Sequence, residues 1–294
     1  MIRTRGMKNF FLLLRPYEYI KNLFIFLPLF FAFQITNPAL LTKAVMAFVA
    51  FSLTASGNYI FNDYCDINED RLHPRKKDRP LASGVLGKRT ALLVMALLFV
   101  VGGTLMAACS PAAAGILGMY VLMNIAYSLY LRHIAILDVT VIAIGFVLRL
   151  FVGSAVTNIP LTMWIIVITF LLALFMGFAK RRDDVQLYLN TGQKPRKVID
   201  GYNIHFLDGA MTIMASVVIV SYVLYTTSPY AIKKMHSEYL YLTAVFVILG
   251  ILRYLQISLV EHNGGSPTQI VMKDRFIQIT ILAWIILFSW IMYR

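Results

Sequence analysis

The sequence predicts an all-α, polytopic membrane protein of nine transmembrane helices, and three observations carry that prediction. The 294 residues are 59% hydrophobic and only 14% charged, with a mean hydropathy of +0.73, whereas soluble domains are about a quarter charged. Apolar runs close to the roughly 20 residues that a bilayer crossing requires recur nine times. The remaining polar residues gather in short segments between those runs, which leaves little chain for a soluble domain.

The first span is predicted over residues 17–35. It follows a basic segment, residues 1–16, read as interfacial because no small-residue cleavage site follows its hydrophobic run. The other spans are predicted over 44–61, 90–108, 112–131, 134–156, 161–179, 210–225, 239–255 and 276–293. Together they make one membrane-embedded domain over 1–294, with 62–89 and 180–206 as the loops that carry chemistry.

Lys and Arg collect on the cytoplasmic side of membrane proteins. Here 22 of them fall in alternate connecting segments, four (Lys43, Lys233, Lys234, Arg294) fall on the other side, and Arg149 lies inside a span. The N-terminus is therefore expected in the cytoplasm, the C-terminus outside, and the protein in the cell membrane. The net charge of +13 does not point to nucleic acid, because the bases flank spans and are interleaved with carboxylates. Anionic membrane lipids and phosphorylated substrates are the expected partners. Cys65 and Cys109 fall at opposite faces and cannot pair, and the five histidines show no zinc-binding spacing. Monomer and homo-oligomer are both left open.

One segment concentrates the charge. "NDYCDINEDRLHPRKKDRPLASG", residues 62–84, holds five of the chain's fourteen acidic residues directly after an apolar run. If the second helix continues through it, Asn62, Asp63, Asp66 and Asp70 share one face at about 100° per residue, and Arg71 points the opposite way. Carboxylates stacked at helical spacing repel one another, and a divalent cation relieves that repulsion. Mg²⁺ commonly takes one or two carboxylates together with substrate phosphate oxygens, so the face reads as a holder for a magnesium-diphosphate group. His73-Pro74 is expected to stop the helix, and Lys76 and Arg79 to supply cations for the phosphates. The plainer reading of the basic loop is a topology signal, which suits Arg75, Lys77, Asp78, Lys88 and Arg89 as well as any chemistry does. For the acidic face it is the weaker reading, because polar groups at a membrane helix end are costly.

Other polar groups fall on the same side. Arg15, Lys21 and Asn22 open the first span; Tyr127 and Arg132 close the fourth; Asp138 and Arg149 lie in the fifth, eleven residues apart and so on one face but about 16 Å apart along the axis. An arginine that deep is expensive unless it meets a cavity or an anion, and a guanidinium can chelate phosphate bidentately. Its alternative is a structural partner for a carbonyl. Asp138 could also anchor Arg132 or Lys21. Lys180, Arg181, Arg182, Asp183 and Asp184 form a second mixed cluster at the end of the sixth span, and Asp274 precedes the ninth.

These stretches, "RPYEYIKN", the long acidic motif, "YSLYLRHIAILDV" with "GFVLR", "AKRRDDVQL" and "SPTQIVMKDR", resemble the UbiA superfamily of intramembrane prenyltransferases. The resemblance covers most of the chain, and the long motif with Lys76 and Arg79-Pro80 in register is its most specific part. It is nearest to the branch whose donor is phosphoribosyl diphosphate and whose acceptor is a polyprenyl phosphate of decaprenyl type. It implies a UbiA-like bundle with a cytoplasm-facing cavity, a Mg²⁺ cofactor on Asn62, Asp63, Asp66 and Asp70, and catalytic roles for the three aspartates. Lys21, Asn62, Lys76, Arg79, Tyr127, Arg132, Asp138, Arg149, Lys180, Arg181 and Asp184 are then the expected substrate contacts. The chain departs from the pattern at Arg132, where Lys is expected, and at Arg182. It also lacks the second aspartate-rich motif of ordinary prenyltransferases, which argues against a prenyl-diphosphate donor. The alternatives are such a prenyltransferase, or more distantly a membrane transporter or lipid carrier.

Overall fold

The computed structural model describes residues 11–72, 76–192, 194–261 and 267–293. Their regular structure is entirely helical, and they form two compact units that divide after Leu161. Most of the predicted interfacial segment, and the His73-Pro74 helix stop, lie outside the described residues.

The first unit opens with a 3-10 helix, Pro16–Phe26, and continues through α1 Leu27–Phe31, α2 Pro38–Cys65, α3 Ile67–Leu72, α4 Lys88–Cys109, α5 Pro111–Leu129 and α6 Leu137–Thr157. The second holds α7 Met163–Thr191, α8 Ile204–Thr226, α9 Pro229–Met235, α10 Ala244–Leu259, α11 Pro267–Lys273 and α12 Arg275–Tyr293. Among the described residues eight helices are long and apolar enough to cross a membrane, one of them α10 with the 3-10 turn before it. They coincide with the second to ninth predicted spans, and the chain is a multi-pass membrane protein.

The first predicted span is built differently from the expected single helix. Its 11 residues of 3-10 helix and the 5 of α1 together reach about 30 Å, the thickness of a hydrocarbon core, because a 3-10 helix rises faster per residue than an α-helix. Hydropathy reads length and apolarity but not helix type, so this difference was not legible.

Helix α2 positions the acidic motif. Pro38 starts it without wasting a donor, and the Asn37 side chain accepts from Ala39 N and Leu40 N at 3.1 and 3.3 Å. Its 28 residues make about 42 Å, longer than the hydrocarbon core, and the end that carries Asn62 and Asp63 is the one expected to project, because polar groups are costly in lipid. Small residues on α2 let its neighbours approach closely: a Cβ at Gly102 of α4 would lie 2.3 Å from Thr54 Oγ1 and 2.8 Å from Ala50 O. The opening 3-10 helix presses as tightly on α6, where a Cβ at Gly153 would lie 2.1 Å from Ile25 O.

The α2 helix does not continue unbroken through the motif. Asp66 leaves helical geometry at φ −94°, ψ 4°, and α3 begins at Ile67. The ladder bonds Asp66 N to Asn62 O (3.0 Å) and Asp70 N to Asp66 O (2.8 Å) survive, so the break is a kink rather than a new direction of pairing.

In the second unit, Gly192 ends α7 in the left-handed region (φ 68°), with its N–H on Tyr188 O at 2.8 Å. Tyr222 OH of α8 accepts from Trp284 Nε1 of α12 at 2.7 Å and pairs with Thr243 Oγ1 at 2.8 Å. Asp274, left between site and helix start by its sequence, caps α12: its Oδ1 accepts from Ile277 N at 2.8 Å and its Oδ2 from Arg253 Nη2 at 2.8 Å.

Two predictions follow from this packing. Gly153→Ala drives a methyl into backbone and should lower stability by about 1–3 kcal/mol; unchanged thermal unfolding in detergent would show that the opening helix shifts freely. The Arg253 hydrogen bonds hold the Asp274 carboxyl below its usual range, so its stabilisation is present above the unfolded value of about 4 and is lost as pH falls through the lower folded value. Asp274→Asn keeps the cap acceptor, because Asn caps a helix as well as Asp does, and removes only the charge that faces Arg253; it should lower stability slightly near neutrality, and that gap to wild type should close on acidification below about pH 4. A gap independent of pH would show that the ion pair with Arg253 does not set it.

Candidate functional site

The acidic motif meets arginines from three separate stretches of the first unit. Asp63 Oδ1 pairs with Arg15 Nη2 and, at 2.9 Å, with Arg79 Nη1. The same Arg79 nitrogen reaches Asp70 Oδ2 at 2.7 Å, and Lys76 Nζ lies 3.9 Å from Asp70 Oδ1. Asp66 Oδ1 pairs with Arg132 Nη1, and Asp66 Oδ2 accepts from Asn62 Nδ2 at 3.1 Å. Ser128 Oγ of α5 donates to Asn62 Oδ1 at 3.3 Å. All three carboxylates are buried. Burial pushes the Asp70 carboxyl up, against the downward pull of Arg79 and Lys76.

The face expected to act as one therefore divides in two. Asp63 and Asp70, two turns apart, converge on Arg79, while Asn62 and Asp66, one turn apart, lean toward α5 and Arg132. Among the described residues no three Asp, Glu, His or Cys side chains converge on one metal position. The donor set still suits Mg²⁺. One nitrogen already holds a positive charge between Asp63 and Asp70, and two carboxylate oxygens completed by substrate phosphate is the ligand balance that Mg²⁺ prefers.

Arg15 was noted in the sequence as a base before the first span but not as part of this site. It adopts a left-handed backbone, φ 52°, and its guanidinium lies 5.2 Å from the centre of the Tyr59 ring. Only its ion pair with Asp63, 48 positions away, reveals its place. Ser128 gave no signal at all.

Arg149, expected to meet phosphate, is engaged by the chain itself. Its Nε donates to Asn22 Oδ1 (2.8 Å), Nη1 to Gly145 O (2.7 Å) and Nη2 to Tyr120 OH (3.2 Å). Phe51, Tyr120 and Phe146 rings lie 4.8, 5.1 and 5.4 Å from its carbon centre, so the charge is met by π faces and dipoles. Asn22 in turn donates to Ser52 Oγ at 2.9 Å. The arrangement ties the opening helix, α2, α5 and α6 together. Lys21 pairs with Glu18, Asp138 is wholly buried at the start of α6, and Tyr127 is half-buried on α5.

In the second unit, Arg181 is buried and pairs with Asp184 Oδ2 at 2.9 Å, and Arg196 reaches the same oxygen at 3.3 Å. Arg182 donates to Asp208 Oδ1 at 2.5 Å and to Ser258 O at 2.6 Å, joining α7 to α8 and α10. Lys180 is half-buried at the same helix end.

Residues 23–279 match the UbiA prenyltransferase family. The chain belongs to that family. Among curated relatives, the decaprenyl-phosphate phosphoribosyltransferase of Mycolicibacterium smegmatis is 31% identical, the match covering 92% of this chain and 88% of the relative. That of Corynebacterium glutamicum is 30% identical, covering 92% and 83%. A UbiA homologue from Archaeoglobus fulgidus, solved bound to DMAPP and Mg²⁺, superposes with a TM-score of 0.72 at 19% identity, covering 96% of this chain and 99% of its own. This likeness establishes the UbiA fold.

Removing the shared cation tests the fit. Arg79→Ala removes the cation that Asp63 and Asp70 share, leaving Arg15 to the first and Lys76 to the second, and should cost about 1–3 kcal/mol, below the cost of breaking a fully buried pair because Arg79 is partly exposed. Millimolar Mg²⁺ should recover part of that loss in thermal unfolding, and recovery absent from the variant would argue against a cation position between the two carboxylates.

Proposed function

We propose that this UbiA-family transferase moves a 5-phosphoribosyl group from phosphoribosyl diphosphate to a polyprenyl phosphate and releases diphosphate. The observation that carries the reading is the acidic motif held among Arg15, Lys76, Arg79 and Arg132, which offers anionic oxygens for Mg²⁺ beside cations for phosphate. The named activity of the mycobacterial and corynebacterial relatives supports the choice of substrates.

Asn62, Asp63, Asp66 and Asp70 would hold Mg²⁺, which when bound stabilises negative charge on a departing diphosphate. Arg79 and Lys76 then turn from carboxylate to phosphate oxygens, where a guanidinium binds in bidentate fashion. Arg132, half-buried against Asp66, orients that carboxylate. A phosphate acceptor has its second pKa near 6 and is largely ionised at neutral pH, so no side chain has to act as general base. The remaining work is positioning, and Lys21, Tyr127, Asp138, Lys180, Arg181 and Asp184 are assigned to phosphate contacts or to orienting them, on chemistry alone. Arg149 acts through Asn22 and Tyr120 rather than by touching substrate. We assign the site to the cytoplasmic side of the cell membrane, with the N-terminus on that side, because alternate connecting segments carry 22 bases against four in the others and the richer set is the one retained in the cytoplasm.

The test supplies purified protein with labelled phosphoribosyl diphosphate or a labelled prenyl diphosphate, a polyprenyl phosphate, and Mg²⁺ or chelator. Label in the lipid from the first donor, dependent on the metal, is the expected result. Label from the prenyl donor alone would establish the ordinary prenyltransferase reading, and substrate exchange across vesicles without a product would establish a carrier. Asp66→Ala should reduce turnover by at least about 100-fold, and near-normal turnover would remove the motif from the chemistry.

A further inference from the structure

Helices α2 and α5 meet in step. Ser128 of α5 meets Asn62 of α2, and Arg132, just beyond α5, meets Asp66, just beyond α2, both pairs separated by 66 positions. One turn further into the span stand Asn58 on α2 and Asn124 on α5. Asn58 lies one helical turn from Asn62 on the same face, about 6 Å deeper along the axis. Asn124 donates to Tyr120 O at 2.8 Å, and Tyr120 OH accepts from Arg149 at 3.2 Å.

Asn58 is unlike its neighbours on this seam. It is only 5% exposed, and neither its Nδ2 nor its Oδ1 has a hydrogen-bond partner among the described residues. A buried amide without partners costs about 1–3 kcal/mol, and lipid offers it nothing. Asn62, Ser128 and Asn22 are all satisfied within the chain; Asn58 has both a donor and an acceptor unspent.

We propose that Asn58 is a specificity-determining residue that binds the neutral, hydroxyl-bearing part of the donor, the ribose ring, one turn below the level at which phosphates meet the arginines. An amide needs a partner that both donates and accepts. Ionised phosphate offers acceptors only and a prenyl chain offers neither, whereas vicinal hydroxyls offer both. The depth is consistent with a sugar ring joined to a diphosphate held at Asn62. This inference rests on the phosphoribosyl reading above and adds the residue that selects for the sugar.

The experiment measures binding of phosphoribosyl diphosphate, inorganic diphosphate and a prenyl diphosphate to the full chain in detergent with Mg²⁺, alongside thermal unfolding. Asn58→Val, apolar and only slightly larger, should weaken phosphoribosyl diphosphate about 10- to 100-fold, the loss expected when hydroxyls are left unpaired. Inorganic diphosphate should bind as before, and the melting temperature should hold or rise because an unsatisfied amide has gone. Asn58→Ser, which keeps a donor and acceptor, should recover part of the selectivity. Equal weakening of both ligands, or unchanged selectivity with lost stability, would overturn the proposal and make Asn58 a structural amide. Wild type that binds phosphoribosyl diphosphate no better than diphosphate, or prefers the prenyl diphosphate, would instead remove the functional reading itself.

Discussion

The structure of the first unit depends on compensating three buried carboxylates at the end of one membrane helix. Asp63, Asp66 and Asp70 would repel one another across two turns, and each is met by a guanidinium from elsewhere: Arg15 ahead of the opening helix, Arg79 beyond α3, Arg132 beyond α5. Charges buried this far are tolerated when they are paired and hydrogen-bonded. The pairing has a structural effect beyond neutrality, because it draws three chain segments distant in sequence onto the projecting end of α2. A motif proposed to hold a cation thus also gathers the segments of chain around it.

Deeper in the same unit, a different rule applies. Arg149 sits within a span and is held by neutral partners, an amide, a carbonyl, a phenol and three ring faces. Charge balance by acids belongs to the helix ends, and charge dispersal by dipoles belongs to the interior, where a second full charge would itself have to be desolvated. The close approach at Gly153 allows this interior polar network to form, since it brings the opening helix near enough to α6 for Asn22 to meet Arg149.

Much of the fold was legible because a membrane span declares itself by length and apolarity, and eight helices lie where those runs predicted them. The opening 3-10 helix was not legible, since no hydropathy pattern separates it from an α-helix of equal apolarity. In the site, helical spacing put Asn62, Asp63, Asp66 and Asp70 on one face, whereas in the structure Asp63 and Asp70 converge on Arg79 and Asn62 and Asp66 lean toward α5 and Arg132, a division that spacing alone does not reveal. The kink itself had no Gly or Pro to announce it, as residue 66 is an aspartate. The partners of each acid were hidden for a simpler reason: Arg15 and Arg132 are 48 and 66 positions from the carboxylates they meet, and local periodicity carries no information over such distances. Arg149 was correctly singled out as costly, but an arginine held by backbone and rings and one awaiting phosphate read alike in a sequence.

The α2–α5 seam orders these groups by depth. Full charges stand at the level of Asp66 and Arg132, an amide and a hydroxyl at Asn62 and Ser128, and amides one turn further along each helix, at Asn58 and Asn124. Desolvation cost rises along that path, so charge falls over these three levels, and the one full charge beyond them on this path, Arg149, is kept by enclosing it in dipoles and ring faces. A substrate with a charged diphosphate and a neutral hydroxylated ring has the same order of polarity from one end to the other. A prenyl diphosphate changes from charge to hydrocarbon in one bond, and along this seam its first isoprene unit would lie against an amide with nothing to satisfy it.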